Sequence, residues 1–530
     1  MSPTRRDFIR TTAATAAALA AGRHLVIEPS TQVVKAPDPE PLAIELGTEA
    51  LDAARSAGAS YADARVGRYR RQAIETRERR ITGVSDGESY GLGVRVLVDG
   101  CWGFAATSVM TRKAAQAAAL EAVTTARAAR LLHPRRVELA PVTAVQGTWM
   151  TPIGRDPFEV SLEDKTSLLF ATNEAALKVK AVRFVNSGLF LLREVKTLLT
   201  SEGTNVTQTL TRVAPTFSAT AVGTGDFQSY SEELAPRGAG WDYVESIDMP
   251  GNAERWASIA AEKLTARSVE PGEYDLIIDP TNLWLTIHES IGHPTELDRV
   301  VGEEANYAGT SFVAPPEKMI GQLRYGPSIM NIQADRTQEG SLSRVAWDDE
   351  GVPADQWLIV EKGIFKDYQT TREQAALIQK LTGVSRSHGC SFAESWNAVQ
   401  FQRMPNISLL PGERDLTLDD IVAATDRALV IKNRGSWSID HQRFNFQFSG
   451  QVYHEVRNGK IIGMLRDVAY QSNTPQFWNS MDMIGGKSSY WMGGSFTDGK
   501  GEPSQVSSVS HGCVPARFRK VTILNTARTA

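Results

Sequence analysis

Near its middle the chain reads Asp279-Pro280-Thr281-Asn282-Leu283-Trp284-Leu285-Thr286-Ile287-His288-Glu289-Ser290-Ile291-Gly292-His293. Asp279 is a favourable helix N-cap and Pro280 suits the first helical position, so a helix is predicted to begin here. Residues 274–278 directly before it, Tyr-Asp-Leu-Ile-Ile, are mostly apolar and are typical of a short buried strand. The sequence therefore predicts a strand that leads into a helix, and this helix carries two histidines and a glutamate.

Two histidines beside a glutamate are the side chains that a hydrolytic metal site needs. Neutral imidazoles bind a divalent cation without cancelling its charge, so the cation can lower the pKa of bound water to about 7. The adjacent carboxylate can take the proton of the water and return it to the leaving amine. We therefore predict His288 and His293 as metal ligands and Glu289 as the general base.

The two histidines lie five residues apart, which is one more than the usual spacing. Side chains five residues apart diverge by about 140° on an ideal α-helix. A single π-turn would bring the second side chain nearly beneath the first. Alternatively, the helix ends at Gly292 in a left-handed cap while Pro294 forces His293 out of the helical conformation. We favour the second arrangement, because Gly292 and Pro294 bracket the second histidine.

Two acidic residues follow the second histidine. Glu296 and Asp298 could accept hydrogen bonds from the imidazole N–H groups and so orient the rings. The alternative for this segment is a solvated acidic loop. Without the neighbouring carboxylates, two histidines at this spacing would more often be one core residue and one surface residue.

The N-terminus carries a targeting signal. The string Thr4-Arg5-Arg6-Asp7-Phe8-Ile9-Arg10 matches a twin-arginine export motif, and an Ala-rich stretch follows it at residues 11–21. The alternative is a basic N-terminus that continues into an Ala-rich helix. We predict a signal peptide at residues 1–26, which places the mature protein in the periplasm or outside the cell.

The composition excludes two classes of protein. A net charge of -4 and a pI near 6.1 give no concentrated basic face for nucleic acid. After residue 26 no apolar run is long enough to span a bilayer. We therefore expect no nucleic-acid partner and, after removal of the signal, no membrane span.

At 530 residues the chain exceeds what one hydrophobic core usually organises, so two domains are expected. Residues 27–41 are rich in Pro and polar residues and are predicted as a linker. Residues 42–270 are predicted as an N-terminal domain of helices and sheet, and residues 271–530 as a β-rich C-terminal domain. The fold class is α+β, and the metal-site helix belongs to the C-terminal domain.

Local patterns give more detailed expectations. Strands are predicted on both sides of the turn Asp99-Gly100, and a helix capped by Thr111 is predicted at 111–132. Residues 190–250 look strand-like, and residues 256–268 look helical. A further helix is predicted near residues 371–381, inside the β-rich half.

The three cysteines, Cys101, Cys390 and Cys513, do not form a disulfide framework, because an odd count leaves at least one thiol unpaired within the chain. Cys390 and Cys513 each end a Ser-His-Gly-Cys string. The two strings could build a Cys/His zinc site, could form a disulfide, or could each be one face of a strand. The sequence leaves these alternatives open.

The acidic run Asp348-Asp349-Glu350 could supply the paired carboxylates of a glycosidase. Adjacent side chains on a strand or turn point apart, however, and Asp-Asp-Glu-Gly is typical of a hairpin turn. We favour the turn.

Several motifs resemble one known family. The segment His288-Glu-x-x-x-His293, followed by Glu296-Leu-Asp298, resembles the metallopeptidase motif of the TldD/PmbA family. Other matching segments are Gly93-Val-Arg-Val, Trp102-Gly-Phe-Ala-Ala, Asp348-Asp-Glu-Gly-Val-Pro353 and Arg403-Met-Pro-Asn406. The resemblance covers nearly the whole chain after the linker. It implies a barrel-like C-terminal domain, hydrolysis of small or unfolded peptides, and a homodimer or a heterodimer with a paralogue of the family.

The resemblance also implies a third metal ligand, which in the family is a cysteine from a Cys-Gly-Lys-like turn near the C-terminus. The matching residues here are Asp498-Gly499-Lys500, so Asp498 stands where the cysteine would be. Two histidines and one carboxylate are a known catalytic zinc set with a fourth position for water. An oxygen ligand is also compatible with iron or manganese. The alternative third ligands are Cys513 and His511.

The sequence thus predicts an exported metallopeptidase with one divalent metal per chain, most simply zinc. The two histidines and Asp498 hold the metal, and Glu289 is the general base. Arg403 and Asn406 are predicted to bind the backbone of the peptide. A rival interpretation is a peptide-binding or assembly partner with a vestigial metal site, which the replacement of the family cysteine keeps open. A hydrolase of non-peptide amides is a further alternative.

Overall fold

A long, mostly antiparallel sheet with helices on it forms the N-terminal part of the protein. A computed structural model describes residues 40–131, 135–384 and 386–527, all within one compact unit. The predicted signal peptide, residues 1–26, and residues 27–39 of the predicted linker lie outside this range. Helix α1 already begins at Pro41, which the sequence analysis had placed in the linker.

The elements of this part follow in chain order. The helices are α1 (Pro41–Ser56), α2 (Arg112–Ala129), α3 (Leu162–Ala176), α4 (Trp241–Ser246) and α5 (Met249–Lys263). The strands are β1 (Tyr61–Arg77), β2 (Arg80–Val98), β3 (Cys101–Thr107), β4 (Gln146–Met150), β5 (Val182–Thr200), β6 (Asn205–Val222), β7 (Phe227–Ser231) and β8 (Arg267–Ser268). Strand β8 pairs with the C-terminal sheet.

The strand order of the N-terminal sheet is β3-β2-β1-β5-β6-β4, with β7 also paired to β6. As predicted, β2 and β3 form a hairpin around Asp99 and Gly100, and the Thr111 side chain accepts a hydrogen bond from the N–H of Ala114 to cap α2. Alanines of α1 and α2 pack on the valines of β2, whereas α3 and α5 pack together over β5 and β6.

The expectation for residues 190–250 is wrong at its C-terminal end. Strands β5, β6 and β7 occupy its first part, but α4 and the start of α5 follow. The side chain of Asp248 accepts a hydrogen bond from the N–H of Gly251, so α5 begins at Met249, earlier than the predicted residue 256. Helix α5 ends at Lys263, and β8 replaces the predicted end of that helix.

The C-terminal part contains more strands than helices. Its strands are β9 (Gly272–Ile278), β10 (Ile332–Asp335), β11 (Gln356–Glu361), β12 (Ile364–Phe365), β13 (Ser391–Phe392), β14 (Phe401–Gln402), β15 (Asn406–Leu409), β16 (Arg427–Ile439), β17 (Asn445–Arg457), β18 (Lys460–Arg466), β19 (Val468–Asn473), β20 (Met481–Ile484), β21 (Trp491–Lys500), β22 (Gln505–Cys513) and β23 (Ala516–Asn525). Its helices are α6 (Pro280–Ile287), α7 (Leu297–Val300), α8 (Pro316–Met319), α9 (Arg372–Thr382), α10 (Leu418–Ala423) and α11 (Thr474–Asn479). Helix α9 confirms the prediction near residues 371–381.

Five of these strands close into a barrel-like sheet. The order runs β16-β9-β23-β19-β17, and β17 pairs again with β16. Helix α6 follows β9 and packs against this sheet, and the Asn282 amide donates to the carbonyls of Asn433 on β16 and Ser449 on β17, each at 2.9 Å. The hydroxyls of Thr286 and of Tyr470 on β19 lie 2.8 Å apart. The predicted α+β class and the barrel-like C-terminal part are confirmed.

The run Asp348-Asp349-Glu350 forms a turn, as favoured. The Asp348 carboxylate accepts hydrogen bonds from the N–H groups of Glu350 and Val352. The next two carboxylates reach the N-terminal sheet, where Lys196 binds Asp349 at 2.9 Å and Arg95 binds Glu350 at 3.1 Å. These carboxylates therefore join the two parts of the protein and do not form the pair that a glycosidase needs.

The three cysteines are free and buried, so the alternative of a disulfide is wrong. His388, in the first Ser-His-Gly-Cys string, contacts two carboxylates. Its Nδ1 lies 2.7 Å from Oδ2 of Asp355, and its Nε2 lies 3.1 Å from Oδ2 of Asp367. Its ring stacks on that of Trp357, with 4.1 Å between the ring centroids. Burial lowers the pKa of His388, but the two carboxylates outweigh it and raise the pKa above its usual value.

Within the described residues, no helix combines the length and the apolar character needed to cross a membrane.

We predict that His388→Gln destabilises the protein more at about pH 5.5 than at about pH 8.5. Folding raises the pKa of His388, so the imidazolium ion stabilises the folded protein. This contribution is complete when the pH is below the pKa of histidine in the unfolded chain, about 6.5, and is lost as the pH rises through the pKa of His388 in the folded protein. The expected loss of Tm at the lower pH is on the order of 2 °C. Thermal unfolding at both pH values measures it.

His454 provides the matched control. Burial lowers its pKa, so its neutral form is favoured in the folded protein. His454→Gln should therefore cost no more Tm at the lower pH than at the higher one. An equal loss of Tm for His388→Gln at both pH values would contradict the prediction.

Candidate metal centre

Helix α6 begins as predicted, because the Asp279 side chain accepts a hydrogen bond from the N–H of Thr281 at 3.0 Å. At its end, His288–Gly292 forms a π-turn, and His293–Thr295 continues as a 3-10 turn. Gly292 and His293 are both right-handed, with φ of -56° and -61°. The favoured left-handed cap is therefore wrong, and the alternative π-turn is right.

The π-turn places both histidines on one face of the helix. Their ring centroids are 4.4 Å apart. Gly292 is needed for space rather than for a left-handed conformation, because a Cβ there would lie 2.5 Å from the sulfur of Met404. One widened turn thus replaces the usual four-residue spacing.

Asp498 lies opposite the two rings. Its Oδ1 is 3.5 Å from Nε2 of His288 and 3.6 Å from Nε2 of His293. Donor atoms about 2.0–2.1 Å from a tetrahedral ion are about 3.3 Å from one another, so these separations suit one cation between the three groups. All three residues are buried. The structure thus brings together the three side chains that the sequence analysis selected as metal ligands.

His511 fixes the orientation of His288. Nδ1 of His511 donates to the carbonyl of Ile407 at 2.9 Å, so its Nε2 is an acceptor. That Nε2 lies 2.8 Å from Nδ1 of His288, which must carry a proton to donate there. The Nε2 lone pair of His288 is left free to face Asp498, as a metal ligand requires.

The two alternative third ligands have other roles. His511 lies behind His288, and burial lowers its pKa well below the usual value, which keeps it neutral. Cys513 has its sulfur 3.5 Å from the carbonyl of Pro280, and burial raises the pKa of its thiol. Neither belongs to the group of side chains that surrounds Oδ1 of Asp498.

Glu296 orients the second histidine. Its Oε2 lies 2.8 Å from Nδ1 of His293, whereas Nη2 of Arg299, which can only donate, lies 3.1 Å from the same nitrogen. The shorter contact is to an ionised carboxylate, which can only accept, so Nδ1 carries the proton. Burial raises the pKa of Glu296, but Lys500 and Arg299 outweigh it and hold that pKa well below its usual value. Asp298 turns instead to Lys500, at 2.6 Å. Of the two predicted acidic supports, only Glu296 contacts an imidazole.

Arg403 fixes the carboxylate of Asp498. Its Nη2 lies 2.9 Å from Oδ2 of Asp498, and its Nε donates to the hydroxyl of Ser507 at 2.8 Å. Burial raises the pKa of Asp498, but Arg403 and the two imidazoles outweigh it and lower that pKa strongly. Asp498 is therefore a carboxylate with Oδ2 bound to Arg403 and Oδ1 facing the histidines.

The contacts of Arg403 and Asn406 do not support the prediction that they bind a peptide. Arg403 is buried against Asp498. Asn406 is also buried, and its Nδ2 donates to the carbonyl of Asp335 and to the hydroxyl of Ser341, each at 2.7 Å. Both side chains hold the protein's own strands in place.

Glu289 is paired with a residue that the sequence analysis missed. Its Oε2 accepts a hydrogen bond from Nη1 of Arg443, which lies between β16 and β17. Glu289 is one residue from His288 and is only 5% exposed. Its position beside the histidines suits a general base.

The residues present fit a divalent cation. The Nδ1 atoms of His288 and His293 are occupied by hydrogen bonds, and their Nε2 atoms both face Oδ1 of Asp498. With neutral imidazoles, the three side chains together carry one negative charge, which suits a divalent cation. Burial lowers the pKa of His293 well below its usual value, whereas for His288 burial is outweighed by Asp498, which raises the pKa. A cation would take the place of that proton on His288.

Three models of one family match the chain. The PmbA/TldA metallopeptidase domain 1 matches residues 62–129, the central domain matches 155–268, and the C-terminal domain matches 271–523. The chain belongs to the PmbA/TldA metallopeptidase family. The last match contains the whole candidate metal centre, from the histidines to Asp498.

Relatives from this family are metalloproteases by name. A metalloprotease of Methanocaldococcus jannaschii is 25% identical over 413 residues, which cover 77% of this chain and 85% of the relative. A metalloprotease of Synechocystis is 27% identical and covers 77% of this chain and 86% of the relative. A zinc metalloprotease TldD homolog of Saccharolobus solfataricus is 28% identical, over 46% of this chain and 51% of the relative.

Solved structures show the same family fold. TldE from Thermococcus kodakarensis superposes with a TM-score of 0.68 at 16% identity, and covers 90% of this chain and 99% of that one. A Thermotoga maritima protein described as a candidate DNA gyrase modulator gives a TM-score of 0.69 at 17% identity, with 91% and 100% covered. At these identities the likeness concerns the fold alone.

Four supports of the candidate metal centre cannot be predicted from the sequence: the positions of His511 and Lys500, the contact of Arg403 with Asp498, and the position of Arg443. Lys500 lies two residues from Asp498, Arg403 begins the Arg-Met-Pro-Asn segment, and His511 lies in the second Ser-His-Gly-Cys string. Their contacts depend on strand pairing between distant segments. Arg443 gives no local signal at all.

We predict that Glu296→Gln weakens metal binding by about 10–100-fold, because the amide no longer holds the Nδ1 proton of His293 as a charged acceptor does. Titration of the purified protein against a chelator of known affinity measures the change. Glu361→Gln is the matched control, since Glu361 lies on β11 and pairs with Lys366 at the surface. Equal affinities in the two variants would contradict the assigned role of Glu296.

Proposed function

We propose that this protein is a divalent-metal-dependent peptidase. The observation that supports it most is the convergence of both Nε2 atoms on Oδ1 of Asp498, at 3.5 and 3.6 Å, with Glu289 alongside. Two histidines and one carboxylate leave a position open for water or substrate. The relatives named metalloproteases support a peptide as the substrate.

The chemistry divides between the cation and the protein. When bound, the cation would act as a Lewis acid and lower the pKa of a water molecule. Glu289 takes a proton from the attacking water as the water oxygen forms a bond to the carbonyl carbon. When the C–N bond breaks, its electron pair stays on nitrogen, and Glu289 returns the proton to that nitrogen. His288, His293 and Asp498 keep their positions throughout.

The depth of the site restricts the substrate. His288 is 4% exposed, Glu289 5% and Asp498 7%, so little of the centre is open to solvent. A folded protein surface cannot bring a peptide bond that deep, whereas a short or unfolded chain can. We therefore propose small or unfolded peptides as substrates.

We propose zinc as the metal. Imidazole nitrogen and carboxylate oxygen suit zinc, and the Saccharolobus solfataricus relative is named a zinc metalloprotease. Asp498 in the place of the family cysteine is a harder ligand, which also admits iron or manganese. Arg403 draws part of the negative charge of Asp498 away from the cation.

We predict that Glu289→Gln abolishes peptide cleavage while the protein keeps one metal ion per chain, because Glu289 moves a proton and holds no cation. Asp498→Ala should lose both activity and metal, whereas Asp498→Cys should keep zinc, because a thiolate also binds zinc. Elemental analysis and cleavage of unfolded casein measure the two properties on the same samples.

Removal of the metal from the wild type with a chelator should abolish the cleavage of casein, and addition of zinc should restore it.

These measurements distinguish a metallopeptidase from an assembly partner with a vestigial metal site. Cleavage by Glu289→Gln at the wild-type rate would exclude its role as general base. A wild type purified with far less than one ion per chain, and unable to take up zinc, would exclude the metallopeptidase and favour an assembly partner with a vestigial site.

We also propose that the protein is exported by the twin-arginine route to the periplasm or beyond, and that it acts as a homodimer or as a heterodimer with a paralogue of the family. The export proposal rests on Arg5 and Arg6 and the Ala-rich stretch after them. The dimer proposal rests on the family resemblance.

We predict that a double change, Arg5→Lys with Arg6→Lys, retains the full-length protein in the cytoplasm, because the twin-arginine pathway reads both guanidinium groups. Cell fractionation with an antibody against the C-terminus compares it with wild type. Arg10→Lys, which lies outside the pair, is the control. Equal export of the wild type and the double variant would contradict the proposed route.

A further inference from the structure

Arg443 lies at the turn between β16 and β17, and the surrounding chain holds this turn firmly. The Asp440 carboxylate accepts hydrogen bonds from the N–H groups of Phe444 and Asn445. The N–H of Thr310 donates to the carbonyl of His441, at 2.9 Å. The hydroxyl of Thr474 donates to the carbonyl of Arg443, at 2.8 Å. The backbone of Arg443 therefore occupies a fixed position.

That fixed position is unfavourable for an arginine. Arg443 has φ of +62°, in the left-handed region that glycine and asparagine adopt most readily. Strained conformations of this kind persist where the surrounding structure imposes them and are concentrated at functional sites. A glycine would fit the turn better, so the backbone gives no reason for an arginine here.

The guanidinium points into the metal centre and is only partly bonded. Nη1 donates to Glu289, Nη2 is 3.4 Å from the carbonyl of Ala308, and the buried Nε has no partner. The side chain is 15% exposed, and that of Glu289 is 7% exposed. A largely buried cation with an unused Nε donor next to the general base is suited to an anion that arrives with the substrate or forms from it.

We propose that Arg443 is a further catalytic residue, which donates hydrogen bonds to the oxyanion of the tetrahedral intermediate. The inference rests on the proposed peptidase function. When the water oxygen bonds to the carbonyl carbon, the C=O π pair moves to the carbonyl oxygen and the water proton goes to Glu289. Arg443 stabilises the resulting negative charge, and the pair returns to form C=O as the C–N bond breaks.

The C-terminal carboxylate of the substrate is the other anion that Arg443 could bind. A terminal carboxylate held by Arg443 would lie within one residue of the cleaved bond, because Arg443 touches Glu289. The oxyanion fits the position more directly, since the general base and the oxyanion flank the same carbon atom. Peptides with and without a C-terminal amide distinguish the two anions.

The test compares Arg443→Gly with wild type. Glycine accepts the left-handed backbone, which stabilises the fold, but it also leaves Glu289 without its ion-pair partner. Because these effects oppose each other, Tm should change little, and one metal ion per chain should remain. We expect kcat to fall by about 10²–10³-fold with KM changed less than about threefold. The loss should persist on the alkaline plateau of the pH profile, and guanidinium chloride at millimolar concentration should restore part of kcat. The affinity for a phosphinic peptide, a tetrahedral anion, should fall in parallel with kcat/KM.

Arg457→Ala is the matched control, because Arg457 ends β17, the strand that follows the turn of Arg443, is exposed and pairs with Glu455. It should keep the wild-type kcat.

Each contrary result has a separate meaning. If wild type cleaves peptides and Arg443→Gly keeps its kcat, the inference alone is overturned. If the loss disappears when the peptide carries a C-terminal amide, Arg443 binds a carboxylate and the oxyanion role is overturned. If metal-loaded wild type cleaves no peptide, the proposed function fails, and the inference fails with it.

Discussion

The metal centre depends on one buried carboxylate, because Asp498 binds groups on both of its oxygens. Oδ2 contacts Arg403, and Oδ1 faces the two imidazoles from 3.5 and 3.6 Å. A carboxylate without Arg403 and the imidazoles beside it would be protonated or expelled from so buried a place. Conversely, without Asp498 the guanidinium of Arg403 would be an uncompensated positive charge in the same small space. The Asp498 carboxylate and the Arg403 guanidinium therefore each need the other to remain charged in this buried position.

The fold explains how such distant residues meet. Strand β9, inside the barrel-like sheet, leads into α6, which is capped by Asp279 and held by Asn282. The hairpin of β21 and β22 brings Asp498 and His511 to the end of that helix, and its register shifts between Ser495 and Asp498. Each half of the site therefore rests on regular secondary structure, which gives more precise positions than loops do.

Much of this could be predicted from the sequence, and the missing parts have a common cause. The N-cap at Asp279, the hairpin at Asp99 and Gly100, the helix α9 and the selection of Asp498 all follow from local patterns or from the family motif. The sequence favours a left-handed cap over the π-turn because Gly292 and Pro294 bracket His293. The actual reason for the glycine is the close approach of Met404, a tertiary contact that no local pattern indicates. Arg443 was missed because its turn is far from α6 in sequence, and only the folded chain places it beside Glu289.

The separate contacts that hold His288, His293 and Asp498 in place have a consequence for how a cation binds. His288 is held by His511, His293 by Glu296 and Asp498 by Arg403, and none of these contacts involves the ion. Little conformational entropy remains to be lost when the ion enters. Uptake of a cation would then exchange its water ligands for protein side chains that are already in position, so the apoprotein would not need to refold to bind it.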